Sequence, residues 1–240
     1  MFRLKKSFDQ IGILAGITDS HSHLLPGVDD GMRNAEDSLK ALERFEQIGI
    51  RKVWLTPHIM EEIPNRTADL KARFEEFRKT YSGPIELVLA SENMLDPLFE
   101  ERLKENDLLP IGKNRDRLLV ETSYFSAPVN MLELLDEIKR SGFQPILAHP
   151  ERYTYMKEDD YHRLKKAGIE FQINYLSFAG AYGPDAEAKS IWMLENDYPD
   201  YVGSDIHSLS MFEHYAGKKT LSSRIVRKLT ETIQKRCTDL

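Results

Sequence analysis

His21 and His23 stand two residues apart in Asp19-Ser20-His21-Ser22-His23. If this segment is a strand, that spacing puts both imidazoles on one face. Carboxylates follow at Asp29 and Asp30, inside Leu24-Leu25-Pro26-Gly27-Val28-Asp29-Asp30-Gly31. Imidazoles aimed the same way with carboxylates close by suit divalent metal ions. One such pair is weak evidence, because ordinary hydrogen bonds satisfy most strand-end histidines. The chain, however, returns to the same chemistry at Thr56-Pro57-His58, Ser91-Glu92, Glu121-Thr122-Ser123, His149-Pro150-Glu151-Arg152 and Ser204-Asp205-Ile206-His207.

The candidate donors are therefore His21, His23, Asp30, His58, Glu92, Glu121, His149, Asp205 and His207. Nine exceeds the roughly four to six donors that one ion takes. Two or three divalent ions are expected, bridged by a carboxylate such as Glu121. Mixed nitrogen and oxygen donors without thiolate favour Mn²⁺, Fe²⁺ or Zn²⁺ over Ca²⁺. Clustered ions make a nucleophile of water near neutral pH and clamp the oxygens of an in-line displacement at phosphorus. Arg152, three residues after His149, offers the planar fork that matches phosphate. With a formal net charge of −6, an anionic substrate needs such a local positive element.

Other catalytic schemes fit poorly. The only cysteine, Cys237, is followed by just Thr238, Asp239 and Leu240, so no downstream arginine completes a cysteine-phosphatase loop. Ser22 and Ser204 lie near histidines but lack a nucleophile-elbow setting. Neither GxGxxG nor GxxxxGK[ST] occurs, so a nucleotide cradle is unsupported. His162 and His214 fall in polar segments and read as surface residues.

The elements that would carry these donors alternate along the chain. Apolar, strand-like runs lead into them: Lys52-Val53-Trp54-Leu55 before His58, Ile85 to Ala90 before Glu92, Leu118-Leu119-Val120 before Glu121, Pro145 to Ala148 before His149 and, more loosely, Tyr201-Val202-Gly203 before Asp205. Helical spacing of apolar residues predicts helices over 34–48, 67–81, 96–106, 130–141, 159–167, 185–196 and 221–236. In 130–141 the inward residues are expected to be Leu132, Leu135 and Ile138. Unbroken strand–helix alternation implies a parallel sheet. Donors spread over many strand ends favour closing it into a barrel, whose active face lies at the C-terminal ends of its strands.

The bulk numbers agree with one large α/β domain: 240 residues, 41% hydrophobic and 30% charged. Residues 1–16 read as an N-terminal extension and 17–240 as a single barrel domain. No apolar run reaches membrane-spanning length, and no secretory leader is evident behind the basic start. The absence of a dense basic stripe disfavours nucleic-acid binding. A single cysteine permits no intrachain disulfide, in keeping with a cytoplasmic setting.

In combination, DSHSHLLPGVDDG at 19–31, TPH at 56–58, SE at 91–92, ET at 121–122, HPERY at 149–153 and SDIH at 204–207 resemble the PHP (polymerase and histidinol phosphatase) superfamily. Within it the likeness is to the bacterial tyrosine phosphatases of the CpsB/CapC/YwqE type, over about residues 17–220. The resemblance implies a distorted (β/α)₇ barrel and a two- or three-metal cluster, manganese- or iron-type, on the nine donors named above. It implies that Arg152 binds phosphate and that the substrate is phosphotyrosine in the tail of a bacterial tyrosine kinase controlling capsule or exopolysaccharide export. His207, or a water, would be the acid. Spacing alone indicates a metal-rich phosphate site and says nothing of tyrosine. Two alternatives stay open: a small phosphoester such as histidinol phosphate as substrate, and a non-catalytic, metal-stabilised binder of kinase tails.

The sequence departs from the pattern in places. Some relatives carry a second arginine about five residues past the SDxH histidine, where this chain has Phe212. Asn93 and Met94 stand where relatives often have aromatics. Phe125, Tyr153, Tyr155, Phe178 and Tyr182 are candidates for an aromatic rim that captures a tyrosine-bearing tail, or alternatively for packing in the barrel.

Overall fold

In the computed structural model, which describes residues 5–236 and 240, strands and helices alternate as expected. Strand β1 is Thr18–Ser22, followed after helix α2 (Ala35–Gln47) by β2 (Lys52–Leu55) and β3 (His58–Ile59). A short helix α1 (Phe8–Ile11) precedes them. Then come α3 (Thr67–Arg78), β4 (Glu86–Leu89), β5 (Glu92–Met94), α4 (Pro97–Glu105), β6 (Arg117–Glu121), α5 (Met131–Arg140), β7 (Gln144–Ala148) and α6 (Glu158–Lys166). Strand β8 (Glu170–Asn174), α7 (Gly183–Glu195), β9 (Tyr201–Gly203), α8 (Leu209–Ala216) and α9 (Ser223–Arg236) complete the order.

Every strand pairing is parallel. β1, β2 and β4 form one run, and β3, β5, β6, β7, β8 and β9 form the other. Pro57 interrupts β2 from β3, and Ala90-Ser91 interrupts β4 from β5, so each pair is one broken stave. The two runs thus amount to seven staves. They close where β9 meets β1: the Asp205 amide donates to the His21 carbonyl at 2.8 Å, the His23 amide donates to the Ile206 carbonyl at 3.1 Å, and Ser22 pairs with Ile206. Gly203 makes this seam possible, because a Cβ there would lie 2.6 Å from the His21 Cβ and 2.9 Å from the Gln172 Nε2. The expected distorted seven-stave barrel is the observed one.

Alternation along the strands divides the apolar residues. Trp54, Ala90, Leu119, Ile146, Ala148 and Tyr201 pack together inside the barrel, while Val53, Leu55, Leu118, Val120 and Leu147 pack outward against the helices. The inward set continues, two residues further along, into Glu121 and, on β8, Gln172 and Asn174. The strands therefore deliver polar groups to the mouth by the same parity that fills the barrel below.

Local chemistry sets the helix boundaries. The Asn34 side chain accepts from the Asp37 amide and the Asp96 side chain from the Phe99 amide, each such cap worth about 1 kcal/mol. α5 differs from its predicted face: it buries Met131, Leu134, Leu135 and Ile138, and Leu132 is 41% exposed. α9 starts two residues later than predicted, because Leu221 exchanges backbone hydrogen bonds with Lys6. Through that bridge and the buried Phe8 and Leu14, residues 5–16 pack onto the barrel. Cys237 lies outside the described residues. No helix among the described residues is long and apolar enough to cross a membrane.

Candidate metal centre

All nine candidate donors converge at the mouth of the barrel. Their groups overlap: His23, Asp30, His58 and His207; His21, His23 and Glu92; His21, His149 and Asp205; His58, Glu92 and Glu121, each with its donor atoms within 4.8 Å of one another. His21 comes from β1, with His23 just past its end. His58 and Glu92 open the short strands β3 and β5, beyond the breaks rather than at the ends of β2 and β4. Glu121 ends β6, His149 follows β7, and Asp205 and His207 follow β9. Two of these positions are held in left-handed backbone, His149 at φ +32° and Asp205 at φ +52°, a strain that non-glycine residues carry mainly at functional sites.

Glu92, rather than the anticipated Glu121, occupies the centre. Its carboxylate lies 2.9 Å from His149 Nε2, 3.0 Å from His58 Nδ1, 3.1 Å from His21 Nε2 and 3.4 Å from His23 Nε2. Glu121 faces only two imidazoles, His58 at 2.9 Å and His149 at 3.7 Å.

The proton inventory favours cations in this space. The Gln172 carbonyl oxygen accepts from His21 Nδ1 and the Asp29 carboxylate from His23 Nδ1, both at 2.8 Å. That assigns the remaining Nε2 atoms as bare donors facing each other at 3.0 Å. Buried Glu92 Oε2, Glu121 Oε1, Asp205 Oδ1 and the Nδ1 atoms of His58 and His149 have no hydrogen-bond partner, although His58 Nδ1 is only 2.9 Å from Glu121 Oε1. Lone pairs that approach without hydrogen-bond geometry are what a shared cation leaves behind in a donor set. The residues present therefore fit divalent ions.

Protons compete for the same lone pairs. Burial and the His23 imidazole push His58 down, but Glu92 and Glu121 outweigh them and raise it to about 10. Burial likewise opposes the charging of His23, yet Asp29, Asp205 and Glu92 hold it well above the usual imidazole range. Asp205 stays well below the carboxylate range despite burial, because His21 and Arg152 face it.

Behind the donors stands a supporting layer that their spacing did not reveal. Asp29, not its neighbour Asp30, holds His23, and it also accepts from the His58 amide at 3.1 Å and the Gly31 amide at 3.0 Å. Burial would raise it, but His23 draws it down to about 2. Gly31 is required here, since a Cβ would sit 2.4 Å from the His23 Cβ. On β8, Gln172 Nε2 donates to Asn174 Oδ1 at 2.9 Å and Asn174 Nδ2 donates to Asp205 Oδ2 at 2.8 Å. Asp19 accepts from the Ser204 amide at 2.8 Å and the His21 amide at 3.2 Å, and burial pushes it up to about 6. The alternation of Glu170, Gln172 and Asn174 with Phe171 and Ile173 was the one local signal available for this layer.

Arg152 lies beside the donors, its guanidinium 4.2 Å from the ring centres of both Tyr124 and Tyr182 and 2.5 Å from Asp205 Oδ2. Cation–π contact with two rings restrains the position of the group. Of the other aromatics, Tyr153 and Phe178 are buried core residues, Tyr155 stacks on Tyr153 with ring centres 5.6 Å apart, and Phe125 is 78% exposed. Phe212 is buried against Phe45. Two clefts flank Asp30. One, of about 330 Å³, runs from His58 and Glu121 past Met60, Ile63, Met94 and Tyr124 to Phe125. The other, of about 540 Å³, lies beside His207 and is lined in part by Arg33, Lys40 and Ser210. His162 and His214 are on the surface, away from the centre.

Comparison with known proteins gives the same direction. The family described as "Capsular polysaccharide synthesis, CpsB/CapC" matches residues 17–236. The tyrosine-protein phosphatase YwqE of Bacillus subtilis is 26% identical over 229 residues, covering 90% of this chain and 89% of its own. The tyrosine-protein phosphatase CpsB of Streptococcus pneumoniae is 26% identical over 204 residues, covering 80% and 83%. Among solved structures, a member of the set described as YwqE from Bacillus subtilis and CpsB from Streptococcus pneumoniae, "unique metal-dependent tyrosine phosphatases", superposes with a TM-score of 0.77 at 25% identity, covering 90% of this chain and 87% of that one. A lactonase from Listeria monocytogenes, at 14% identity and a TM-score of 0.53, shares the fold.

Proposed function

The chain belongs to the CpsB/CapC family, and from that premise we propose that it is a metal-dependent phosphatase hydrolysing phosphotyrosine in proteins. The observation that carries the reading is the convergence of nine nitrogen and oxygen donors, several with unpartnered buried atoms, beside an arginine packed against two tyrosine rings. Two or three divalent ions would be held, with Mn²⁺ the best match and Fe or Zn the alternatives. His21, His23, Glu92, Glu121, His58, His149 and Asp205 would hold the inner ions, and Asp30 and His207 the outer edge. When bound, such ions supply an activated water near neutral pH and neutralise phosphoryl charge.

The rest falls to the chain's own residues. Arg152 gives one N–H to Asp205 and retains others for phosphoryl oxygens. The cleft from His58 to Phe125 offers an aryl ring the side chains of Met60, Ile63, Met94 and Tyr124, with Asp30, Glu62, Thr122 and Ser123 completing its lining. A phenol, with pKa near 10, leaves with little help, and the candidate proton donor is a water or, where it holds no ion, His207 at the rim. The proposed physiological substrate is a phosphotyrosine-bearing bacterial tyrosine kinase that governs capsule or exopolysaccharide synthesis.

The test is phosphate release by Mn²⁺-loaded protein from a phosphotyrosyl peptide and, in parallel, from histidinol phosphate. Strong preference for the peptide, abolished by chelation, is expected. Preference for histidinol phosphate would replace the substrate and keep the metal chemistry. With metal verified as bound, turnover of neither would overturn the phosphatase assignment.

A further inference from the structure

Three large hydrophobic side chains are exposed among the described residues, and all three fall on one segment: Phe125 at 78%, Val129 at 105% and Leu132 at 41%. This segment directly follows the donor Glu121. It is fastened at both ends. The Tyr124 carbonyl accepts from the Thr154 amide at 2.8 Å and from Thr154 Oγ1 at 2.9 Å, and Asn130 Nδ2 donates to Glu100 Oε1 on α4 at 3.1 Å. The backbone between these pins presents Phe125 and Val129 outward, and Leu132 follows on the exposed side of α5.

The segment separates two clefts. Phe125 ends the cleft that opens onto His58 and Glu121. Val129 and Leu132 line the next, of about 370 Å³, together with Pro128, Met131 and Met156. The exposed apolar residues thus form a track along the segment, from Phe125 beside the donor cleft to Val129 and Leu132 at a second cleft that Glu133, Asp160 and Arg163 also line. Clustered exposed apolar residues on a soluble surface mark a binding site.

We propose that this track docks the polypeptide flanking the phosphotyrosine, taking an apolar side chain of the substrate against Val129 and Leu132. The inference rests on the phosphatase reading above and extends it from the aryl ring to the surrounding chain. Phe125, which lines the same cleft as the donors His58 and Glu121, selects this occupant over an unrelated partner. Four residues separate Phe125 from Val129, at most about 14 Å of extended chain. The docked side chain therefore lies within about four positions of the phosphotyrosine. Side chains at alternate positions of an extended peptide share one face, so the peptide needs no folded structure to make the contact.

The experiment compares the unaltered protein with the V129S/L132S double variant, whose substituted side chains are exposed and remote from the donors. The substrates are p-nitrophenyl phosphate and two phosphotyrosyl peptides, one with leucines and one with serines within four positions of the phosphotyrosine. The unaltered protein should favour the leucine peptide about tenfold in kcat/KM. The double variant should lose that preference through KM while its turnover of p-nitrophenyl phosphate stays unchanged. No preference in the unaltered protein, or equal loss on all three substrates, would overturn the docking site. So would a dimer, seen by sedimentation, that the variant abolishes without changing peptide kinetics. Fluorescence anisotropy of the unphosphorylated leucine peptide separates the two readings: binding lost in the variant, with no phosphotyrosyl turnover by either protein, keeps the docking site and removes the tyrosine-phosphatase reading.

Discussion

The inner and outer parts of the donor set are built differently. His21, His23, Glu92, His149 and Asp205 are almost fully buried, and each except Glu92 and His149 is fixed by a polar side chain behind it: Gln172 for His21, Asp29 for His23, Asn174 for Asp205. At the rim, the Asp30 side chain is 67% exposed and that of His207 is 27% exposed. Asp30 meets His58 Nε2 at 3.5 Å and His207 Nε2 at 3.4 Å. A donor whose orientation is fixed before binding loses less entropy on binding, and burial strengthens its attraction to a cation. The inner pocket should therefore hold ions tightly and the rim hold one loosely, ready to exchange or to meet substrate.

The largest break in this contrast comes at its centre. Glu92→Gln removes the carboxylate shared by four imidazoles and should abolish phosphate release and lower the bound metal measured by elemental analysis. Full activity in this variant would be incompatible with a metal-holding Glu92. Next come the supports. Gln172→Ala and Asp29→Asn leave every donor in place, yet each should weaken inner-metal affinity or activity by about 10- to 100-fold. Chelator competition reads the affinity, and unchanged values in both would mean that the inner donors orient themselves. Asp30→Asn should be milder. It should weaken the loosest ion by about tenfold and leave the tighter ions in place, so that activity returns when Mn²⁺ is raised. Loss of all metal would erase the distinction between the two parts.

The smallest effect is in the metal-free protein. Folded His58 titrates at about 10 against an ordinary 6.5. Because the folded value is the higher one, this contribution to stability is complete below about pH 6.5 and is lost as pH rises towards 10. Melting of chelator-treated protein should fall across that window, and Mn²⁺ should reverse the fall by taking the place of the protons. A metal-free melting temperature that holds or rises over the same range would contradict the carboxylate-dominated field. At the acid end the sign is opposite. Asp29, lowered to about 2, stabilises above its ordinary 3.8 and ceases to do so as pH falls through 2.

Much of the centre was legible in the sequence, because its signals are local. The His21–His23 spacing and apolar runs ending in donors are properties of single strands, whose side chains alternate whatever surrounds them. That parity aims His21 and Glu121 inward, and the other donors reach the same mouth from the short strands and turns that follow. It could not choose between Asp29 and Asp30, which are adjacent in a turn and differ only in what they meet: Asp29 turns in to His23, and Asp30 out to the rim. Nor could helical spacing alone settle the face of α5. Leu132 and Leu135 are three apart and read as one stripe, but the barrel contacts Met131, Leu134, Leu135 and Ile138.

By itself, then, the chain's sequence determined the donor types, the order of strands and helices, and the end of the barrel at which the donors collect. These follow from side-chain chemistry and from the two- and 3.6-residue periods of the backbone. Tertiary closure decided that Glu92 is central, that β8 supplies support through Gln172 and Asn174, and that Tyr124 and Tyr182 both pack on Arg152. Those relations join residues 28 or more positions apart. They exist only once the strands pair side by side and, for the His21–Gln172 contact, once Gly203 lets β9 close against β1, because no local pattern in the chain encodes which distant side chains then share a volume.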